Sequence, residues 1–284
     1  MNVEIHQEIS GGKVVRRGLL ATKDVKVGET IFKEMPIATS TQENLKAESS
    51  DTCPVCSLEF CSETCISDCK YHSVLCTKDS ESPAFKLQRF LKAVNKVNNR
   101  LALNFLLNMI EKEMQITHNT PAYSEWDHLD RMYGQPRDAN DADKVEHQLL
   151  LKLASNIPGF DSYVTLEKYV SIKSKMEYNS ISIPLKDDAV VYSLATEDYG
   201  RGNVNGQGLK GVGLYHIASI ISHSCRPNVE FRFNDNSELS IVALTDLTRE
   251  TELLACYVPM TADRRNAIKT RYGFECKCDL CKSE

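Results

Sequence analysis

Residues 211–228 read GVGLYHIASIISHSCRPN. The opening GVGLY closes a glycine-rich run, and ISHSCRPN has the texture of a short strand passing into a turn. Downstream, VEFRFND and LSIVALTDL read as two strands with a hairpin expected at residues 234–237. Upstream, AVVYSLA continues the strand-like pattern back to about residue 189. Nearer the N-terminus, residues 13–36 carry the apolar runs VV, LLA and TIF, broken by Gly18 and Gly28, and a small β meander is expected there. Between these sheet-forming parts, residues 85–114 and 144–176 repeat apolar side chains at helical spacing, as in Leu101, Phe105, Leu106, Met109 and Ile110. The expected class is α+β, with sheets split by a helical middle whose apolar faces serve as scaffold. No internal repeat is visible, which excludes a solenoid.

The 284 residues suffice for one large or two small domains without disulfide staples. Thirty-four Lys and Arg against 39 Asp and Glu leave a net charge of −5, which argues against a protein that coats nucleic acid and favours basic partners. A hydrophobic content of 42% and a charged content of 26% are those of a globular chain. The N-terminal MNVEIHQEISGGKVV lacks a basic-then-apolar signal pattern, and no run approaches the length of a membrane span, so an intracellular setting is expected. In that reducing setting eleven cysteines need something to hold them, and they cluster.

The first cluster follows C-x2-C-x15-H-x3-C through Cys53, Cys56, His72 and Cys76, a spacing suited to tetrahedral zinc. A CxxC turn points both thiolates at one ion, and three intervening residues place His72 and Cys76 one helical turn apart. Cys61, Cys65 and Cys69 lie between them, and spacing alone leaves Cys53, Cys56, Cys61 and Cys65 open as an alternative ligand set. Zinc would supply folding energy to so short and polar a segment. The second cluster is C-terminal: Cys276, Cys278 and Cys281 supply three ligands, and Cys225 is the natural fourth, which would pin the tail against the glycine-rich region.

The stretch 211–228, with ELLACYVPM (252–260) and RYGFECKCDLC (271–281), resembles the signature of SET-domain lysine methyltransferases. Together with the segment CxxC, FCSETC and HxxxC, it resembles the SMYD family, in which a MYND zinc module is inserted into a split SET domain. The resemblance covers essentially the whole chain and implies the short branch, without a C-terminal helical-repeat domain. It implies a SET-domain β fold of small sheets with a pseudoknot-like C-terminus, an inserted zinc module and a helical insert. The expected parts are 1–49 and 189–260 for the SET halves, 50–77 for the MYND-like module, 78–188 for the helical insert and 261–284 for a zinc-binding tail. MYND modules in the family bind two zincs. Here Cys53, Cys56, His72 and Cys76 match the second site, while the CxxC partner of Cys61 and Cys65 is missing from residues 39–52. The resemblance thus favours the ligand set containing His72.

The same resemblance implies S-adenosylmethionine as cofactor and a protein lysine as methyl acceptor. Tyr257 matches the active-site tyrosine, whose hydroxyl orients the amine and the methyl rather than attacking. Arg17, Gly18 and Leu19 match the motif whose backbone wraps the methionine end of the cofactor. Ser219, Ser222 and His223 match the segment on which the adenine and methionyl parts rest, Asn205 a contacting asparagine with Asn203 as its alternate, and Phe274 a residue that stacks near adenine. Tyr215 joins Tyr257 and Phe274 as a channel candidate or is an ordinary packing aromatic. Position 222 departs from the family's usual asparagine: a serine offers one hydroxyl in place of a donor and an acceptor, a loss of about 1 kcal/mol for one neutral hydrogen bond.

The implied function is a protein-lysine N-methyltransferase acting on a histone, a ribosomal protein or another basic protein. The alternative is a catalytically weak or inactive SET and MYND protein that binds partner peptides through zinc-dependent surfaces. The few basic residues of the first cysteine segment argue against direct nucleic-acid binding. A monomer without membrane attachment, in the nucleus, the cytoplasm or both, completes the expectation.

Overall fold

The structure, a computed structural model, describes residues 2–11, 13–41, 51–57, 59–60, 63, 66, 70–93, 97–115, 125–157, 159–184, 209–233 and 237–284. Two compact units form: Met1–Thr39 with Tyr178–Glu284, and Ser40–Glu177. The described strands are, in chain order, β1 (Val3–Ser10), β2 (Lys13–Ala21), β3 (Thr30–Glu34), β4 (Ala38–Thr41), β5 (Asp51–Thr52), β6 (Glu59–Phe60), β7 (Ser180–Pro184), β8 (Leu209–Leu214), β9 (Ser222–His223), β10 (Val229–Phe233), β11 (Leu239–Ala243) and β12 (Leu254–Ala255).

In the first unit these strands make small sheets: β1 with β2, β10-β11-β3, β4-β8-β7, and the short pair β9 with β12. The β10–β11 hairpin pairs Val229 with Ala243 and Phe233 with Leu239, as the alternation of VEFRF suggests; residues 234–236 of its turn lie outside the described residues. β11 is buried at all five positions because it lies between β10 and β3, which is why LSIVA reads as nearly unbroken apolar chain. Leu19, Phe231, Ile241 and Tyr215 share the core it builds.

Residues 13–36 do not form a meander. β2 pairs back on β1, and β3 pairs with β11 from the far end of the chain. The intervening loop is stitched to the same distant region: Val25 N–H donates to Leu247 O at 2.9 Å and Gly28 N–H to Ala243 O at 2.8 Å. Gly28 takes φ 79°, a left-handed turn that favours glycine. Alternation marks a strand but says nothing about its partner, so a local pairing was the wrong inference.

The second unit holds β5, β6 and the helices Lys70–Leu75, Pro83–Ala93, Val97–Gln115, Glu125–Arg131, Asp141–Leu153, Phe160–Tyr163 and most of Leu166–Asn179. The longest, Val97–Gln115, is buried at every position from Leu101 to Leu107, so it is the unit's central helix rather than an amphipathic cover. Helix Asp141–Leu153 opens with a capping box in which the Asn140 side chain accepts from Asp143 N–H and the Asp143 carboxylate accepts from Asn140 N–H.

Asp143 also anchors a buried polar cluster that helical periodicity did not reveal. Arg137 Nη1 lies 2.6 Å from its carboxylate and Lys173 Nζ 2.7 Å, while Lys173 also pairs with Glu146 at 2.6 Å and Tyr169 donates to Glu146. The last of these helices runs to Asn179, just past the helical spacing read to residue 176, and residues 180–184, expected within the helical insert, are the strand β7, paired with β8 through Ser180 to Leu214. AVVYSLA lies outside the described residues.

Candidate active site and metal centres

The knuckle Cys53 to Cys56 and the helix carrying His72 bring four donors together, all within 4.8 Å of one another. Cys53 Sγ is 3.7 Å from Cys76 Sγ, and Cys56 Sγ is 3.2 Å from His72 Nε2. The backbone N–H groups of Cys56 and Val55 lower the Cys53 thiol to about 7, while burial pushes Cys76 up to about 12. The second cluster gathers Cys225, Cys276, Cys278 and Cys281 just as closely. Cys225 Sγ lies 3.9 Å from Cys276 Sγ and 3.6 Å from Cys281 Sγ.

Zinc–sulfur bonds of about 2.3 Å in a tetrahedron place sulfurs about 3.8 Å apart, so both sets of distances suit that geometry. Burial works against ionising Cys278, but the N–H groups of Cys281 and Cys225 prevail and lower it to about 6. Burial raises Cys225 and Cys276, helped at Cys225 by its sulfur neighbours. Four crowded sulfurs cannot all ionise alone, and a divalent cation removes the conflict. Cys61, Cys65 and Cys69 lie outside the described residues.

Cys225 reaches the tail because its turn is held on both sides. Asn228 donates from Nδ2 to Glu252 O at 2.8 Å and accepts from Leu254 N–H at 2.7 Å, and Ser224 N–H donates to Ala255 O at 2.9 Å. These bonds lay β9 parallel to β12, with Ser222 opposite Leu254 and His223 opposite Ala255. Tyr257 follows directly. Its hydroxyl donates to Ile221 O, and its backbone N–H donates to His223 Nδ1 at 3.1 Å. Burial first, then Tyr272 and Glu252, holds the phenol well above its ordinary value, so it is protonated at neutral pH and cannot act as a base. Burial also lowers the His223 imidazole to about 4, leaving it neutral.

A small cavity of about 10 Å³ opens at Tyr257, lined also by Tyr178, Asn179, Ile181, Ala218, Ser219, Ile221 and Phe231. Its lining mixes the polar Asn179 and Ser219 with apolar and aromatic side chains, and more of the wall it exposes is polar than apolar. Ser219 is carried into it by the 3₁₀ turn Ala218–Ile220. Glu34 holds that turn: its carboxylate accepts from the N–H groups of His216 (2.6 Å), Ile217 (2.9 Å) and Ala218 (3.0 Å). Burial raises the Glu34 carboxyl despite those three donors. Beside the cavity, the rings of Tyr257 and Tyr272 lie 5.1 Å apart, and Phe274 stands 6.1 Å from His223 with its face partly open to solvent.

The strand β2 borders this region through Glu252. Arg16 makes an ion pair with its carboxylate at 2.6 Å, and Ser222 Oγ donates to Oε1 at 2.9 Å. Gly18 leaves the room for it: a Cβ there would come within 2.4 Å of Oε1.

The sequence pattern of the SET domain matches residues 16–258. The chain belongs to the SET-domain family. A histone-lysine N-methyltransferase SET5 of Candida glabrata is 27% identical to this SET protein over 94% of the chain and 56% of the relative. A protein-lysine N-trimethyltransferase SMYD5 of Danio rerio is 22% identical over 94% of the chain and 85% of the relative. A crystal structure of the SET domain of LSMT bound to lysine and AdoHcy superposes with a TM-score of 0.41 at 12% identity, covering 97% of this chain and 52% of that one. This SET chain therefore spans about half the length of the yeast relative.

Within the SET unit, Tyr257 and Ser219 share the cavity, Phe274 and His223 stand beside it, and Gly18 and Ser222 meet at Glu252. Arg17 is half-buried on β2 opposite Gln7, and it is the neighbouring Arg16 that pairs with Glu252. Leu19 is wholly buried in the core and its carbonyl accepts from Leu253 N–H at 2.8 Å, so that group serves the sheet. Asn205 and Asn203 lie outside the described residues. Tyr215 is a packing residue rather than a channel wall: it is fully buried, donates to Ser237 O at 2.8 Å and meets Phe233 edge-on. Sequence reasoning missed Tyr178, Asn179, Ile181, Tyr272, Glu34 and Glu252. A polar residue ending a helix at the edge of an apolar strand, as in YNSISI, was the available signal for Asn179.

Proposed function

We propose that this SET-domain protein is an S-adenosylmethionine-dependent protein-lysine N-methyltransferase. The observation that carries the reading is the half-buried Tyr257, its hydroxyl bonded to Ile221 O, at a small cavity that Ser219 also lines, within a chain of this family. The names of the SET5 and SMYD5 relatives support it. The residues present suit the cofactor: the partly exposed ring of Phe274 suits a purine, and Ser219, Asn179 and the Ile221 carbonyl offer polar partners around Tyr257. When bound, S-adenosylmethionine supplies an electrophilic sulfonium methyl.

The remaining work falls to the protein. Tyr257, anchored at both its hydroxyl and its backbone N–H, keeps a lone pair facing the cavity for a lysine amine or a polarised methyl. The apolar walls Ile181, Ile221 and Phe231 favour the neutral amine over the ammonium, since desolvation penalises the charged form. Holding amine and methyl in line then supplies most of the barrier reduction. Ser222, whose hydroxyl is given to Glu252, contributes to cofactor binding mainly through its main chain.

Cys53, Cys56, His72 and Cys76 hold one zinc, and Cys225, Cys276, Cys278 and Cys281 another, both structural because four protein ligands leave no open position. Substrates are histones or other basic proteins, matched to the net charge of −5. Among the described residues no helix is long and apolar enough to cross a membrane, and nucleus or cytoplasm is the proposed setting.

Calorimetric titration with S-adenosylmethionine, followed by transfer of labelled methyl to a panel of basic proteins, tests the reading. Binding and transfer, with transfer lost in Tyr257→Phe, is the expected result. Intact zinc with no cofactor binding overturns it in favour of a peptide-binding SET protein.

A further inference from the structure

Half-buried His223 meets three groups that the lysine-transfer reading uses separately. Tyr257 N–H donates to its Nδ1 at 3.1 Å, and its Nε2 lies 3.5 Å from Cys225 Sγ. The ring packs against Tyr257 at 5.1 Å and Phe274 at 6.1 Å between centroids. Its backbone is fixed as well, opposite Ala255 in the β9–β12 pair.

The proton can be placed from these contacts. Nδ1 accepts the Tyr257 N–H and so carries no hydrogen, which leaves the ring's proton on Nε2. That N–H points at the sulfur of Cys225. A divalent cation with four thiolates bears a net double negative charge, and N–H donors from outside the ligand set disperse it and orient the ligand.

We infer that His223 is a positioning residue that joins the metal-bound thiolate of Cys225 to the main chain of Tyr257, so that the C-terminal metal centre sets where the cavity tyrosine stands. The inference rests on the zinc reading of the four-sulfur cluster and on Tyr257 as the orienting residue. It removes the His223 side chain from the cofactor's direct contacts and leaves that task to the main chain. It also explains why the tail, whose cysteines are far from the cavity in sequence, belongs to the active unit: metal, Cys225, His223 and Tyr257 form one continuous chain of bonds.

Cadmium-113 in place of zinc tests this without relying on activity. In the loaded parent protein, the four-sulfur site is resolved from the site with three sulfurs and one nitrogen, and a scalar correlation from its cadmium to the imidazole Nε2–H is expected. His223→Gln keeps a donor near the Nε2 position, and His223→Asn keeps an acceptor near Nδ1. The asparagine variant should therefore shift only the four-sulfur resonance and weaken metal binding there about tenfold or more, while the glutamine variant should keep both near the parent values. The Tyr257 amide signal should move in both variants, through its own lost bond in the glutamine variant and through the cut link to the metal in the asparagine one. In both, turnover should fall while cofactor affinity stays within about threefold.

An unchanged four-sulfur resonance and metal affinity in His223→Asn would overturn the inference. A parent protein with no four-sulfur resonance would overturn the metal reading beneath it, and unchanged cadmium spectra with a large loss of cofactor affinity would assign the ring to the cofactor. Should both variants fail to fold, the correlation in the parent decides alone. Absent methyl transfer with the correlation present would sink the enzyme reading and leave this one standing.

Discussion

Ser222 Oγ donates to Glu252 Oε1 at 2.9 Å, and that oxygen occupies the space a Cβ on Gly18 would need. Serine at 222, glycine at 18 and the Arg16 ion pair therefore form one arrangement around a single carboxylate. The serine that departs from the family's asparagine is thus a partner of Glu252 rather than a vacancy in the motif.

Gly18→Ala should displace the carboxylate and weaken both its bonds. The cost expected is about 1 kcal/mol, because one end of a flexible side chain must move and one hydrogen bond is lost. A double-mutant cycle with Glu252→Gln by urea unfolding should show clear non-additivity; independent effects would mean that Gly18 is needed for some other contact.

Tyr257→Phe removes only the hydroxyl that meets Ile221 O. Methyl transfer in single turnover should drop about a hundredfold, the scale for losing one aligned polar group in a buried site. Cofactor affinity by calorimetry should change little.

Zinc content separates the two clusters. Emission spectrometry should find at least two zinc ions per chain, one for each four-donor set. Cys225→Ser should remove one of them and expose residues 261–284 to limited proteolysis. The ion pair of Arg264 with Glu284 is too local to hold the tail by itself.

Acid should loosen the helical unit through Asp143. Burial alone would raise this carboxyl, but Arg137, Lys173 and the Asn140 N–H outweigh it and hold it well below the usual carboxylate range. A group depressed in the folded state contributes stability that is complete above its unfolded value of about 4 and disappears as the pH falls through the folded value. Asp143→Asn should accordingly cost about 3 kcal/mol at pH 7 by taking from Arg137 its carboxylate and leaving Lys173 to Glu146 alone, and much less in strong acid. Urea unfolding at the two pH values measures the difference.

The helical middle was legible because helical spacing is local, and CxxC, HxxxC and CxCxxC pointed to the two four-donor clusters, although Cys225 joins Cys276 across 51 residues. The cavity was legible only in part. Tyr257 and Ser219 stood in recognisable motifs, whereas Asn179 and Tyr272 sat at ordinary element ends.

By itself the sequence determined ligand types, their spacing, the helical segments and the family motifs, all of which depend on neighbours a few residues apart. Tertiary structure alone decided that β3 pairs with β11, that Arg16 meets Glu252 across 236 residues, and that His223 links Cys225 to Tyr257. Such contacts bring together residues whose partners nothing nearby in the chain names: an ordinary strand, a charge, and a histidine that the sequence ties to the cofactor segment. Long-range pairing depends on which surfaces remain to be buried once local elements form, and no periodicity along the chain encodes that choice.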